Sequence, residues 1–284
     1  MTSAYRGDEA LKAVAIAEAT GTQPNAWAVE ANDETRALCA ERFGLTPAFL
    51  ALLSHGFHVP YGERALDKLA AALKEVPAGA DTLAIVRSWV MQIWERADGP
   101  QIQIRGSLLE QPALQIIELL RRSAHEAVGR DEWRRVRSLV NQQAAVDEAL
   151  APFAELLAAM AWDLKASPRA VIDIWNAWSG TVTVPLNNAA GFPQHKQDEV
   201  TQAMRECHLA ARDLVGAHDP ATETAQAYGQ RSTEALMRLI AERGYAEAFA
   251  GLQQHFATTL GPAMKAWQAL AEASITSACA RGGH

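Results

Sequence analysis

Apolar side chains in this sequence return at the spacing of helix turns far more often than they alternate. Between Asp198 and Val215 the seam Val200, Ala203, Cys207, Ala210 and Leu214 repeats every three or four residues. Glu199, Glu206 and Asp213 line one shoulder of that seam and His208 the other. This is the pattern of a packed helix with solvated flanks.

Start and stop signals delimit further helices. Asp8 opens an Ala-rich run that Gly21 closes, Thr22 and Pro24 open another that restarts at Asp33 and ends at Gly44, and Thr46-Pro47 begins "AFLALLS" up to Gly56. A side-chain oxygen followed by proline suits a helix start, because the first N–H groups lack intrahelical acceptors. "GERALDKLAAALKEV" runs to Pro77, and Asp81 caps a run that stops at Gly99-Pro100. "PALQIIELLRRSAHEAV" ends at Gly129, Asp131 caps the next run, and further helices follow Pro152 and Ser167-Pro168. Beyond residue 197 the pattern predicts helices over 198–215, from Asp219-Pro220 to Arg243, over 245–260 and from Pro262 to near Cys279.

The fold class is therefore all-α, a bundle of ten or eleven helices. "QIQIR" and "TVTV" alternate or carry β-branched residues, but each is short and lacks a partner strand, so both read as extended connectors. Gly99-Pro100 is the strongest internal break. It divides the chain into 1–99, a small helical subdomain, and 100–284, a larger bundle, unless the two form one continuous domain.

One stretch departs from the helical pattern. "IWNAWSGTVTVPLNNAAGFPQHK", from Ile174 to Lys196, gathers a β-branched run, two prolines, two glycines and adjacent asparagines. Those residues favour turns and extended chain. The expectation is one long ordered loop over 179–195, lying over the end of the bundle. Trp175, Trp178 and Phe192 would form an apolar wall there, with Asn187, Asn188 and His195 as the polar groups of a small-molecule pocket. A structural plug joining two helices is the competing expectation.

Other clusters suggest less. Arg130, Arg134 and Arg137 share a helix face and suit a phosphate or carboxylate, within a basic segment running from Arg121 to Arg137. Glu126 four residues before Arg130, and Asp131 four before Arg135, suit ordinary surface ion pairs instead. His55 and His58 near Glu63 are a weak metal candidate; otherwise no metal and no cofactor is expected. "TRALCAERFGLTPAFLALLSHG" has the outline of a helix-turn-helix, yet "AFLALLS" is apolar nearly all round and belongs in a core. Glu206 and His208 point about 200° apart on a helix and cannot converge. None of the eight histidines has an acid three residues before it, and zinc-protease, phosphate-loop and nucleophile-elbow motifs are missing.

Composition narrows the partners. A net charge of −7 disfavours nucleic acid. The three cysteines form no Cys-x-x-Cys, which suits reduced thiols in the cytoplasm. No window approaches the roughly 18 to 20 apolar residues of a membrane span. With no convergent acid, base, nucleophile or metal set, the leading expectation is a cytoplasmic binding or regulatory protein. It would act through helix faces, on a protein partner or by self-association, or through the loop pocket on a small apolar ligand. The alternatives are an enzyme with His195 as general acid or base, and anion or nucleic-acid binding through the Arg121–Arg137 face.

Overall fold

Several helix ends in the structure follow the capping chemistry of the sequence. In the computed structural model, which describes residues 3–21, 27, 31–58, 65–144, 146–219 and 221–282, Asp8 Oδ1 accepts from Ala10 N at 2.7 Å and starts α1 (Glu9–Ala19). Asn32 Oδ1 accepts from Thr35 N at 2.7 Å and starts α2 (Asp33–Phe43). Gly44, at φ 63°, ends α2 in the left-handed conformation that a side chain disfavours. Leu45 N then donates back to Ala40 O at 2.9 Å. Thr46 caps α3 (Pro47–Gly56), which turns away from α2 by 111°.

There follow α4 (Leu66–Glu75), α5 (Thr82–Glu95) capped by Asp81, the short α6 (Pro100–Gln103), α7 (Glu110–Arg122), α8 (Arg130–Ala144) and α9 (Ala151–Met160). The last five are α10 (Ala170–Ala189), α11 (Gln194–Val215), α12 (Ala225–Glu242), α13 (Ala246–His255) and α14 (Gly261–Arg281), with a π turn over Phe256–Leu260. Among the described residues there is no strand, so the all-α class holds. Nor is any single described helix long and apolar enough to cross a membrane. The helix starts expected at Thr22-Pro24 and before Leu66, along with Glu63 and Pro220, lie outside the described residues.

Several expectations fail: α7 ends at Arg122 and not near Gly129, α8 already begins at Arg130 so that Asp131 is inside it and not its cap, and α12 begins at Ala225 behind a Thr224 cap and not at Asp219-Pro220. The long loop over 179–195 does not exist: α10 continues through Gly180, the "TVTV" run and both asparagines, and only residues 190–193 connect it to α11. Ile174, Trp178, Val182 and Leu186 recur every fourth residue, so the segment has a helical stripe that the local propensities mask. Pro185 sits inside α10, where it has no N–H to offer the carbonyl one turn before it. "QIQIR" is likewise not extended, since its first residues belong to α6 and the rest to turns.

The chain forms two compact units, Met1–Thr181 with Ala266–His284, and Val182–Lys265. Gly99-Pro100 falls inside the first unit. The apolar faces on both sides of it, Ile85, Val86, Trp89 and Ile93 of α5 and Ile116, Ile117 and Leu120 of α7, are all buried in that unit.

Within the first unit α3 is buried along its length from Ala48 to Ser54, as its all-round apolarity requires. Trp89, Trp175, Trp178 and Trp267 form an aromatic cluster, the closest centroids being Trp175 and Trp267 at 4.9 Å. Edge-on pairs of this kind add about 0.5–1.5 kcal/mol beyond area burial. In the second unit Val200, Ala203, Cys207 and Ala211 of α11 are buried with Ala235 and Ile240 of α12. The seam expected on α11 thus turns inward at Ala211, and Leu214 is 60% exposed.

Candidate functional site

The residues expected around a loop belong to α10, the 190–193 connection and α11. Trp175 and Trp178 are core residues of the first unit, 8% and 5% exposed, and are held by Trp89 and Trp267. Asn187 and Phe192 belong to the second unit, where Asn187 Oδ1 is hydrogen-bonded to His255 Nε2 at 3.0 Å and Phe192 stacks on the same imidazole. Asn188 and His195 are exposed, His195 in the first turn of α11. The partner of Asn187, His255, has no signal in the sequence that joins it to a residue 68 positions away.

Of the weak metal candidate, His55 and His58 are among the described residues. His55 Nδ1 is hydrogen-bonded to Ala51 O at 3.1 Å, and Glu63 is outside the described residues. Among the described residues no three His, Cys, Asp or Glu side chains are grouped to hold a metal.

The arginine face, by contrast, lines a cavity. Arg130, Trp133, Arg134 and Arg137 stand on one side of α8 at helix-turn spacing, and the facing wall is the turn between α9 and α10, with Trp162, Asp163, Ala166 and Ser167. The enclosed volume is about 380 Å³. The turn is held by its own hydrogen bonds: Asp163 Oδ1 accepts from Lys165 N at 2.9 Å, and Asp163 O accepts from Ser167 N at 2.8 Å.

Arg137 ties the two walls together. Its Nη1 donates to Ala161 O at 3.2 Å, and its guanidinium carbon lies 3.6 Å from the centre of the Trp162 ring. That stacking is an attraction of the cation to the π face. Burial depresses the pKa of Arg137, and the charges of Arg134 and then Arg130 push it the same way. Arginine stays protonated regardless, so the site holds three like charges at an energetic cost.

Little within the protein offsets that charge. Arg134 Nη1 is 3.4 Å from Asp131 Oδ1, both side chains being well exposed. Among the described residues Arg130 and Arg137 form no ion pair. Asp163 lines the cavity but also acts on Arg87, whose pKa burial lowers and whose charge Asp81 and Asp163 favour. One more donor is unused: Trp133 is 3% exposed, and its Nε1–H is buried without an acceptor.

Two other arginines of the basic segment, Arg121 and Arg122, face carboxylates. Arg122 Nε is 2.6 Å from Glu126 Oε1 and its Nη1 is 2.9 Å from Glu132 Oε2. Arg121 faces Glu95 at 4.0 Å. The pairs differ from those the spacing suggested, because α7 ends at Arg122 and Glu126 lies in the connection to α8. Sequence reasoning reached Arg130, Arg134 and Arg137 but missed Trp133 and Trp162. Trp133 carries the signal of falling between those arginines on the same face.

A second cavity, of about 550 Å³, adjoins the first and shares Trp162, Ala166 and Ser167 with it. Its remaining wall comes from α2, α3 and the start of α10. Comparison with known protein families, curated proteins and solved structures gives no match.

Proposed function

We infer that the protein binds a small anionic ligand, a phosphate or carboxylate, in the cavity between α8 and the turn that follows α9. The observation that carries this reading is the convergence of Arg130, Arg134 and Arg137 on one cavity, with a single lining carboxylate beside them. Guanidinium groups present paired N–H donors that match the oxygens of such anions. Trp162 keeps the Arg137 fork oriented. No nucleophile paired with a base lines the cavity, so the reading is of binding without chemistry.

The test is thermal unfolding of the full chain with inorganic phosphate. At ten times its dissociation constant a ligand of the folded state adds about 1.4 kcal/mol, which raises Tm by roughly 3 °C at this chain size. The shift is expected to vanish in the Arg130→Gln/Arg137→Gln variant and to shrink as sodium chloride rises. Absence of any shift with phosphate, sulfate or acetate in the parent protein overturns the reading.

A second reading concerns protein partners and rests on the second unit. Leu209 and Leu214 of α11 and Met237 of α12 are 47%, 60% and 49% exposed. Exposed apolar side chains on helices suit docking of another helix or self-association. Light scattering behind a sizing column checks it: a mass above one chain is expected, and conversion to monomer in Leu214→Glu/Met237→Glu.

A further inference from the structure

We propose that the ligand is amphipathic, an anionic group joined to a flat apolar body that lies past Trp162 in the adjoining cavity. The proposal rests on the anion reading and extends it. The two cavities share Trp162, Ala166 and Ser167 in their linings, so they adjoin at these three residues. Their sizes, about 380 Å³ and about 550 Å³, are each in the range that holds a small organic ligand.

Their chemistry differs in a direction that orients such a molecule. The first has three guanidinium groups and one carboxylate. In the second, Arg36 and Arg169 are matched by Asp33 and Asp173, and the Arg36–Asp33 pair stands at 3.9 Å. An anion is therefore drawn to the first cavity and gains nothing net from charge in the second. The second offers Ala37, Pro47, Ala51 and Ile172 as apolar wall. Trp162 already holds the Arg137 guanidinium at its ring, and an indole edge or face at the junction accommodates a second flat group.

Calorimetry on the full-length protein with three probes tests this: inorganic phosphate, phenyl phosphate and phenol. Phenyl phosphate is expected to bind at least about tenfold more tightly than phosphate, equivalent to about 1.4 kcal/mol, and to alter tryptophan emission. In Ala37→Phe, a substitution at an exposed position, a ring fills the second cavity and the ratio of the two affinities is expected to fall toward one. Equal affinities for phosphate and phenyl phosphate in the parent protein overturn the apolar extension while leaving the anion reading standing. Failure of both to bind overturns the two together. Phenol binding as tightly as phenyl phosphate would show that the anion contributes nothing, and an unchanged ratio in Ala37→Phe would displace the body from this cavity.

Discussion

Cys39 and Cys279 illustrate how burial dominates a residue's behaviour. Desolvation pushes both thiols from the ordinary 9.0 up to about 12, with Glu18 adding to the effect at Cys39 and Glu75 at Cys279. Burial also raises the Tyr5 phenol. A thiol whose folded pKa exceeds its unfolded value stabilises the fold fully below the unfolded pKa, and that contribution is lost as pH rises toward the folded one. Stability is therefore expected to fall between pH 9 and pH 12. Urea midpoints across that window check it, and the Cys39→Ala/Cys279→Ala variant, weaker at neutral pH, should show the flatter alkaline limb. Native thiols should likewise resist alkylation until the chain unfolds. The same residue scale separates what the sequence revealed about the site from what it hid. Arg130, Arg134 and Arg137 are near neighbours on one helix, so their spacing betrays a shared face. Trp162 and Asp163 reach them only through the packing of α9 on α8, which no local pattern records.

Elements were legible wherever capping chemistry and apolar period agreed. Asp8, Thr46 and Asp81 cap as their side chains suggest, whereas Asp131 falls inside the first turn of α8, and the fully apolar α3 is core. At α10 the two signals conflict. Gly180, the β-branched run and Pro185 favour breaks, while the four-residue recurrence from Ile174 to Leu186 favours helix, and tertiary burial decides for the helix. The cost of that outcome is measurable. A Cβ added at Gly180, or at Gly229 in α12, meets nothing within 4 Å. Glycine in a helix interior costs roughly 0.5–1 kcal/mol relative to alanine. Gly180→Ala and Gly229→Ala are each expected to raise stability by about that amount; calorimetric unfolding showing no gain would mean that burial, not helix propensity, controls these helices entirely. Gly56 should behave oppositely. Its Cβ would collide with Cδ1 of the fully buried Ile275 and approach Trp175 Cζ3 at 3.7 Å. Overpacking of this kind costs about 1–3 kcal/mol, and Gly56→Ala should melt earlier by a corresponding margin.

The two units differ in how much apolar surface each removes from water. The first has the tryptophan cluster and the buried faces of α3, α5, α7 and α9, whereas the described buried apolar residues of the second are Val200, Ala203, Cys207, Ala211, Ala235 and Ile240. Most of those six are small, so the transfer free energy holding the second unit is modest. This division was hidden in the sequence because its two boundaries fall within helices, α10 and α14, rather than in linkers, leaving Gly99-Pro100 as the more conspicuous break. Regions with few buried contacts open at lower free energy, so the second unit is expected to unfold first. The chain contains its own reporter for this. All eight tryptophans, from Trp27 to Trp267, belong to the first unit, whereas helices fill both. Far-ultraviolet ellipticity should begin to fall at lower urea than tryptophan emission shifts, and amides of α11 and α12 should exchange before those of α5 and α9. Superimposable curves from the two probes would instead mean that the units unfold as one cooperative body. The anion-site reading bears on the same experiment, because Arg130, Arg134 and Arg137 lie in the first unit. Phosphate should then move the emission transition to higher urea while leaving the early ellipticity change in place, a separation that binding to the second unit would reverse.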